Sequence, residues 1–305
     1  MASNRETNTG FDKLLGMNVP HILEKIFLSL DYKSFKKCHG VSNTWKVSLS
    51  ESSIKKKAKS VYCDELKEDL TELKLMWYCR NGHVDDVIFL VSWGVNPNCF
   101  PNHMKFTMFR IDESPLHTAI RFSGNKYLIK YLLDAGADPN HNAYITGISP
   151  LYLASHLSLN DLVKLLLDAG ADPNKANCEG DTPLIAAMKN PFTVESPLYL
   201  ERIFGYLEKR TDTVRLLLEG GAEPNKANDG KSPLYWAVKR GQTQLVKLLL
   251  DAGAQSNVDI LCLAEDIANK DVFKLLIGDP NTPDASEVGF KEVIGLSICI
   301  LIFTL

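Results

Sequence analysis

The apolar positions of this chain fall into a phrase that repeats. From residue 112 onward, short stripes of leucine and alanine at helical spacing alternate with polar breaks marked by glycine and proline. Four segments share one opening: Ser114-Pro-Leu-His-Thr-Ala119, Ser149-Pro-Leu-Tyr-Leu-Ala154, Thr182-Pro-Leu-Ile-Ala-Ala187 and Ser232-Pro-Leu-Tyr-Trp-Ala237. A Ser or Thr suits an N-cap, and a proline at the first helical position lacks only an N–H that the helix would leave unpaired anyway. Each opening is followed by a second phrase ending in Gly136, Gly170, Gly221 or Gly253, in which paired leucines such as Leu132–Leu133 and Leu249–Leu250 precede the glycine. Those leucines fit the buried stripe of a second helix, and the glycine its left-handed C-terminal cap. Asp-Pro-Asn, as at Asp138–Asn140, then turns the chain outward. The prolines at 115, 150, 183 and 233 lie 35, 33 and 50 residues apart, a period of about 33 with one insertion of roughly seventeen.

Both phrases, recurring in register, resemble ankyrin repeats. The resemblance implies an all-α solenoid with β-hairpin fingers over residues 61–280. It places four clear repeats near 112–143, 144–177, 178–228 and 229–257, with degenerate caps at Leu75–Asn98 and Asp259–Ile277. Each unit buries its leucines only against a neighbour, so weak end units are expected. His117 matches the family's structural histidine.

A second pattern occupies residues 15–60, after a polar N-terminus (1–14) expected to be disordered. Ile22, Leu23, Ile26, Phe27 and Leu30 follow helical spacing, Asp31 and Ser34 break and recap the chain, and Phe35, Cys38, Val41 and Trp45 continue it. This predicts three short helices whose core is too small to stand alone, so a partner or the adjoining repeats must complete it. The series Ile-Leu-x-x-Ile-Phe, Leu-Asp, Ser-Phe and Val-Ser-x-x-Trp resembles the F-box. The opening departs from the family pattern: Leu-Pro-x-Glu would start at Asn18, whereas here the proline is Pro20 and His21 stands where the acidic residue would be. The resemblance implies docking on the Skp-type linker of a cullin ubiquitin ligase through Val19, Pro20, Ile22, Leu23, Ile26, Leu30, Val41 and Trp45. The alternative is that several of these fill the module's own core.

Charge and cysteine usage narrow the partners. A net charge of −3 gives no overall basic field, so no nucleic-acid partner is expected. Seven scattered cysteines without a CxxC pair fit a reducing compartment and neither a zinc site nor a disulfide framework. With no apolar leader in the first ten residues, the expected location is cytoplasmic or nuclear. Ile54-Lys-Lys-Lys-Ala-Lys59 reads as a solvated helix face rather than an import signal. The tail 281–305 ends in the apolar run Val293–Leu305, about 20 Å long as a helix against a hydrocarbon core of about 30 Å. It reads as an unpacked tail, with a membrane tether as the alternative.

No enzyme motif survives inspection. Gly230-Lys231-Ser232 resembles the end of a phosphate loop, but Asn225 stands where its leading glycine belongs, and HExxH, GxSxG and GxGxxG do not occur. A non-catalytic adaptor without cofactor or metal is therefore expected. Repeat alignment places Arg80, Arg121, Phe122, His156, Lys189, Lys239 and Arg240, with Asn81, Leu157 and Asn190, on the inner-helix surface. That predominantly basic stripe is expected to bind an acidic protein target. Phe106 and Phe109, in the long first finger 100–111, are a second candidate target contact, unless that finger folds back on the repeats. The insertion 191–210 is expected to add a packed helix.

Overall fold

The structure is a computed structural model and describes residues 30, 33–35, 52–61, 71–100, 113–189, 200–267 and 269–278. Outside these lie Val19, Pro20, Ile22, Leu23, Ile26, Val41, Trp45, Phe106, Phe109 and the run Val293–Leu305, so the roles expected of them are not addressed by the fold. The described residues are helical, with no strand among them. The chain divides into two compact units, Met1–Ala137 and Asp138–Leu305.

The first unit contains α1 (Ser52–Val61), α2 (Glu72–Asn81), α3 (Val84–Ser92), α4 (Pro115–Thr118), a π-helical turn (Ala119–Ser123) and α5 (Lys126–Asp134). Thr71 caps α2 by accepting from the Lys74 amide, and Gly82 closes it in the left-handed region at φ 72°. The degenerate cap expected at Leu75–Asn98 is thus a complete helix pair, α2 and α3. It buries Leu75, Met76, Val87, Phe89 and Leu90, while the next pair buries Leu116, Ile120, Leu128, Ile129 and Leu132.

The N-terminal segment shares this core. Phe35 is fully buried, its ring edge-on to Trp93 at 5.7 Å, and Trp93 in turn stacks on Phe89 at 5.4 Å. Helix α1 carries the lysine run: Ile54 and Ala58, one turn apart, are buried, Lys56 and Lys57 are exposed, and Lys55 Nζ donates to the Ser92 carbonyl. The run is therefore an amphipathic helix docked by its apolar edge.

The first clear repeat is one residue longer than two of its companions. Twenty-two positions separate Ser114 from Gly136, against twenty-one from Ser149 to Gly170 and from Ser232 to Gly253. The extra residue is absorbed by widening the last turn of the inner helix into the π-turn, which ends at Gly124 with φ 57°. Asn125 then caps α5 by accepting from the amides of Tyr127 and Leu128.

The second unit sets an inner row, α6 (Pro150–His156), α8 (Pro183–Lys189), α10 (Pro233–Lys239) and α12 (Val258–Asp266), against an outer row, α7 (Asn160–Asp168), α9 (Leu200–Glu219), α11 (Thr243–Asp251) and α13 (Lys270–Ile277). The expected caps form: Ser149 and Ser232 accept from the amides of Tyr152 and Tyr235, and Thr182 from Ile185. Of each leucine pair the first member is fully buried and the second only partly, because a single helical stripe faces the neighbour. The closing unit, expected to be truncated, is a full pair capped by Asn257 and Asn269.

Two expectations are corrected here. The helical part of the insertion adds no separate helix; α9 starts at Leu200 and runs unbroken for 20 residues, with no proline to interrupt it before Glu219. The fingers are not β-hairpins among the described residues; they are turns, with one isolated bridge between Asn228 and Lys231. Their order comes from asparagines. Asn98, Asn140, Asn174 and Asn225 donate from Nδ2 to the carbonyls of Gly136, Gly170, Gly221 and Gly253, respectively. The last three also accept through Oδ1 from the amides of Asp172, Glu223 and Gln255. Each such asparagine stitches one turn to the next without a ladder.

Candidate docking surfaces

The inner-helix positions expected to form a basic stripe carry two kinds of cation. In the first unit, Nε and Nη2 of Arg121 donate to Oε1 of Glu113, whose side chain is only 4% exposed. In the second, Lys189 Nζ lies 2.7 Å from both carboxylate oxygens of Asp181, whose side chain is 2% exposed, and Asn228 Nδ2 donates to Oδ1 from 2.7 Å. The two clamps are homologous. In each, the acid sits one residue before the Ser/Thr-Pro opening, and the base eight residues later, at the end of the inner helix. A buried carboxylate needs such a partner, since an unpaired charge in that position is strongly penalised.

Repeats 2 and 4 have no carboxylate at this register. Ile148 and His156 occupy the two positions in repeat 2, and the His156 ring stacks on Tyr152 at 6.4 Å. Lys231 and Lys239 occupy them in repeat 4, where the exposed Lys239 ammonium lies 5.3 Å from the Trp236 ring and 5.9 Å from the Tyr235 ring. Lys189 Nζ approaches the same Trp236 ring at 5.0 Å, and Arg240 Nη2 donates to the Lys189 carbonyl. Burial and the nearby charge of Arg210 push the Arg240 guanidinium below its ordinary pKa. Within the second unit, Lys189 and Lys239 thus gather around one indole, and Arg240 is tied to the Lys189 backbone.

The first unit has its own aromatic surface. Phe122, on the π-turn, is 43% exposed beneath the Arg80 guanidinium, 4.0 Å from its ring centre. Trp77, one turn before Arg80, is equally exposed and stacks on His83 at 5.3 Å. Leu30, the only described member of the expected linker-binding set, is partly buried.

The sequence reading missed Glu113, Asp181, Trp236 and Trp77. The first two were signalled by an acid immediately before the capping residue in repeats 1 and 3. Trp236 was signalled by a large aromatic where the other repeats have Thr118, Leu153 and Ala186.

Titration of the nearby groups follows burial. Tyr152 is pushed up to about 12, chiefly by burial and then by the charges of Asp181 and Glu179. Cys99 is raised to about 12 by burial and Glu72, and burial raises the Cys79 thiol, so neither presents a thiolate near neutral pH. Among the described residues no group of His, Cys, Asp and Glu is arranged to hold a metal, and no helix is long and apolar enough to cross a membrane. Ser114 Oγ and His117 Nδ1 lie 2.8 Å apart in the core, which makes His117 a structural residue.

Comparison with known proteins agrees with the repeat geometry. The family profile described as ankyrin repeats (3 copies) matches residues 116–196 and 205–286, together just over half of the chain. Among similar proteins, the putative ankyrin repeat protein FPV115 of fowlpox virus is 30% identical over 167 residues, covering 51% of this chain and 30% of that protein. The putative ankyrin repeat protein FPV230 of the same virus is 28% identical over 192 residues, covering 61% of this chain and 86% of its own length. The palmitoyltransferase AKR1 of Lachancea kluyveri is 27% identical over 202 residues, 62% of this chain but only 23% of that enzyme. The chain thus spans less than a third of FPV115 and of AKR1. With helix pairs, capping glycines and asparagine-stitched turns recurring at the matched positions, the chain belongs to the ankyrin-repeat family.

Proposed function

We propose that this chain is the substrate-recognition subunit of a cullin-type ubiquitin ligase, acting in the cytoplasm or nucleus. Its N-terminal segment binds the Skp-type linker and its repeats hold the protein to be modified. Ankyrin repeats point to a protein–protein interaction scaffold. The ligase role rests on one observation: the spaced F-box-like set from Val19 to Trp45 precedes the repeats in the same chain. Burial of Phe35 against Trp93 is in keeping with it, because a substrate receptor has to hold its linker-binding segment in fixed relation to its repeats.

Ubiquitin transfer would be done by partner subunits, so the chain itself needs no cofactor. On the target side, Arg80, Phe122, His156, Lys239 and Arg240 are the described contacts we assign, with Phe106 and Phe109 from the first finger. Arg121 and Lys189 stand at the same register, and their clamps give them a folding role as well. Co-precipitation with the linker tests the reading. The wild-type chain should capture it, and Ile26→Asp or Leu30→Asp should abolish capture by placing a charge in an apolar contact. A chain that never captures the linker is an ankyrin scaffold outside the ligase, and capture that survives both substitutions means the docking residues are misassigned.

A further inference from the structure

We propose that Lys231 and Lys239 form the cationic half of a clamp whose carboxylate is supplied by an acidic segment of a partner protein. The proposal rests on the reading of the inner helices as the target surface and names the chemistry of that target. Repeats 1 and 3 show what this pair of positions does when its first member is acidic. Glu113 and Arg121 meet in repeat 1, and Lys189 Nζ lies 2.7 Å from both carboxylate oxygens of Asp181 in repeat 3. Repeat 4 keeps the same frame: Ser232 accepts from the Tyr235 amide as Thr182 does from Ile185, and Pro233 opens a seven-residue inner helix as Pro183 does. Lys231 and Lys239 therefore stand where acid and base stand in repeat 3. Two cations at positions whose side chains can meet repel each other, and an anion placed between them reverses the sign of the interaction.

Access changes in the same direction. In repeat 3 the carboxylate is closed off by the next finger, from which Asn228 Nδ2 donates to Asp181 from 2.7 Å. Twelve positions separate Gly170 from the cap Thr182 and eleven separate Gly221 from Ser232, but only four separate Gly253 from the cap Asn257. Four residues are too few to lay a finger over repeat 4, and both lysines are exposed. Among the described residues neither makes an ion pair, even with Asp229 two positions before Lys231. Aromatic rings already gather the Lys239 ammonium, 5.3 Å from Trp236 and 5.9 Å from Tyr235, so less side-chain freedom is lost when it binds. A carboxylate offers two oxygens and about four lone-pair sites, enough to accept from both ammonium groups together. Single-stranded phosphodiester is the less suitable anion, because it needs a basic groove that tracks several nucleotides, and the whole chain is net −3.

The test titrates the full chain into a fluorescent Glu-rich peptide, its Gln-substituted counterpart or an oligothymidylate, with anisotropy as the readout. The Glu peptide should bind, less tightly as salt is raised, and better than the Gln peptide. Lys231→Gln and Lys239→Gln should each weaken binding about threefold. Lys231→Asp should do more, because it supplies the acid within the chain: Lys239 is then clamped as Lys189 is, and peptide affinity should fall about tenfold with the fold retained. Lys247→Asp makes the same charge change at an exposed position of the outer helix α11 and should alter binding by less than about twofold. Circular dichroism checks folding, and if Lys231→Asp does not fold, the two Gln variants decide. The proposal is overturned if the Glu peptide binds no better than the Gln peptide, if neither Gln variant weakens it, or if Lys247→Asp weakens it as much as Lys231→Asp. Binding of the oligonucleotide without the Glu peptide overturns it too. Neither the linker nor a native target is present in this titration. Failure here leaves the ligase reading standing, and failed linker capture leaves the clamp standing.

Discussion

Repeats 1 and 3 differ from repeat 4 at one register, the basic residue that closes the inner helix. Arg121 and Lys189 each lie against a buried carboxylate fixed one residue ahead of the helix cap, whereas Lys239 lies exposed on aromatic rings. In sequence the three look alike, a cation six residues after the helix-starting proline. The difference teaches that side-chain type at a repeat position does not assign its role; the residue eight positions earlier does. Where that residue is Glu113 or Asp181, the cation neutralises a charge the fold has buried. Where it is Lys231, nothing in the repeat requires the cation, and it remains available for recognition.

Cutting the clamps gives the largest expected effects. Lys189→Met and Arg121→Met each remove the cation from a carboxylate that is nearly inaccessible to water, and loss of one partner from such a pair typically costs about 3 kcal/mol or more. Because both cations are themselves partly exposed, the reverse deletions Asp181→Ala and Glu113→Ala should cost less, as the freed cation can turn to solvent. Lys239→Met should change stability by less than about 0.5 kcal/mol. Urea unfolding of the variants reads the difference through the midpoint at constant slope. Equal losses at Lys189 and Lys239 would erase the distinction between the two kinds of repeat.

An intermediate effect is expected from the turns, which treat all repeats alike. Asn174 donates to the Gly221 carbonyl and accepts from the Glu223 amide, two bonds that no neighbouring side chain is shown to replace. Since the site is exposed, water can take over part of the role, and Asn174→Ala should cost about 1 kcal/mol. Asn140→Ala and Asn225→Ala should match it. Hydrogen exchange at the amides of Glu223, Asp172 and Gln255 should rise in the corresponding variants, with the clamps unaffected. A loss as large as that from Lys189→Met would mean that the turns, rather than the buried ion pairs, dominate the energetics.

Much of the fold was legible because ankyrin architecture is written in local chemistry. Ser149 and Ser232 cap helices by the bonds their identity implies, and Gly136, Gly170, Gly221 and Gly253 take positive φ, where other side chains would be strained. The π-turn was hidden because a one-residue excess between Ser114 and Gly136 can be absorbed anywhere between two caps. The stitching by Asn140 and Asn174 was hidden as well, since Asp-Pro-Asn reads as a turn whether or not its last side chain reaches the next repeat. The surface was least legible of all: a lysine on a helix looks solvated until the buried Asp181 is placed beside it.

The smallest effect concerns Tyr152, which reports on the second clamp from outside it. Burial chiefly, and then the negative charges of Asp181 and Glu179, together raise its pKa from 10 to about 12. A phenol whose folded-state pKa lies above its unfolded value favours the protonated, folded form. Its contribution is therefore fully present below pH 10 and is lost as pH climbs from 10 towards 12. At neutral pH, Tyr152→Phe should leave stability nearly unchanged, because no bond from the hydroxyl is part of either clamp. Above pH 10 the wild-type chain should lose stability faster than the Phe variant, and the difference between their unfolding midpoints isolates this phenol from every lysine and tyrosine the two chains share. In an Asp181→Asn background the same difference should shrink, since the second cause of the shift has been removed while burial remains. If wild type and Tyr152→Phe lose stability in parallel from pH 10 to 12, the phenol titrates as an ordinary tyrosine, and neither its burial nor the Asp181 charge acts on it.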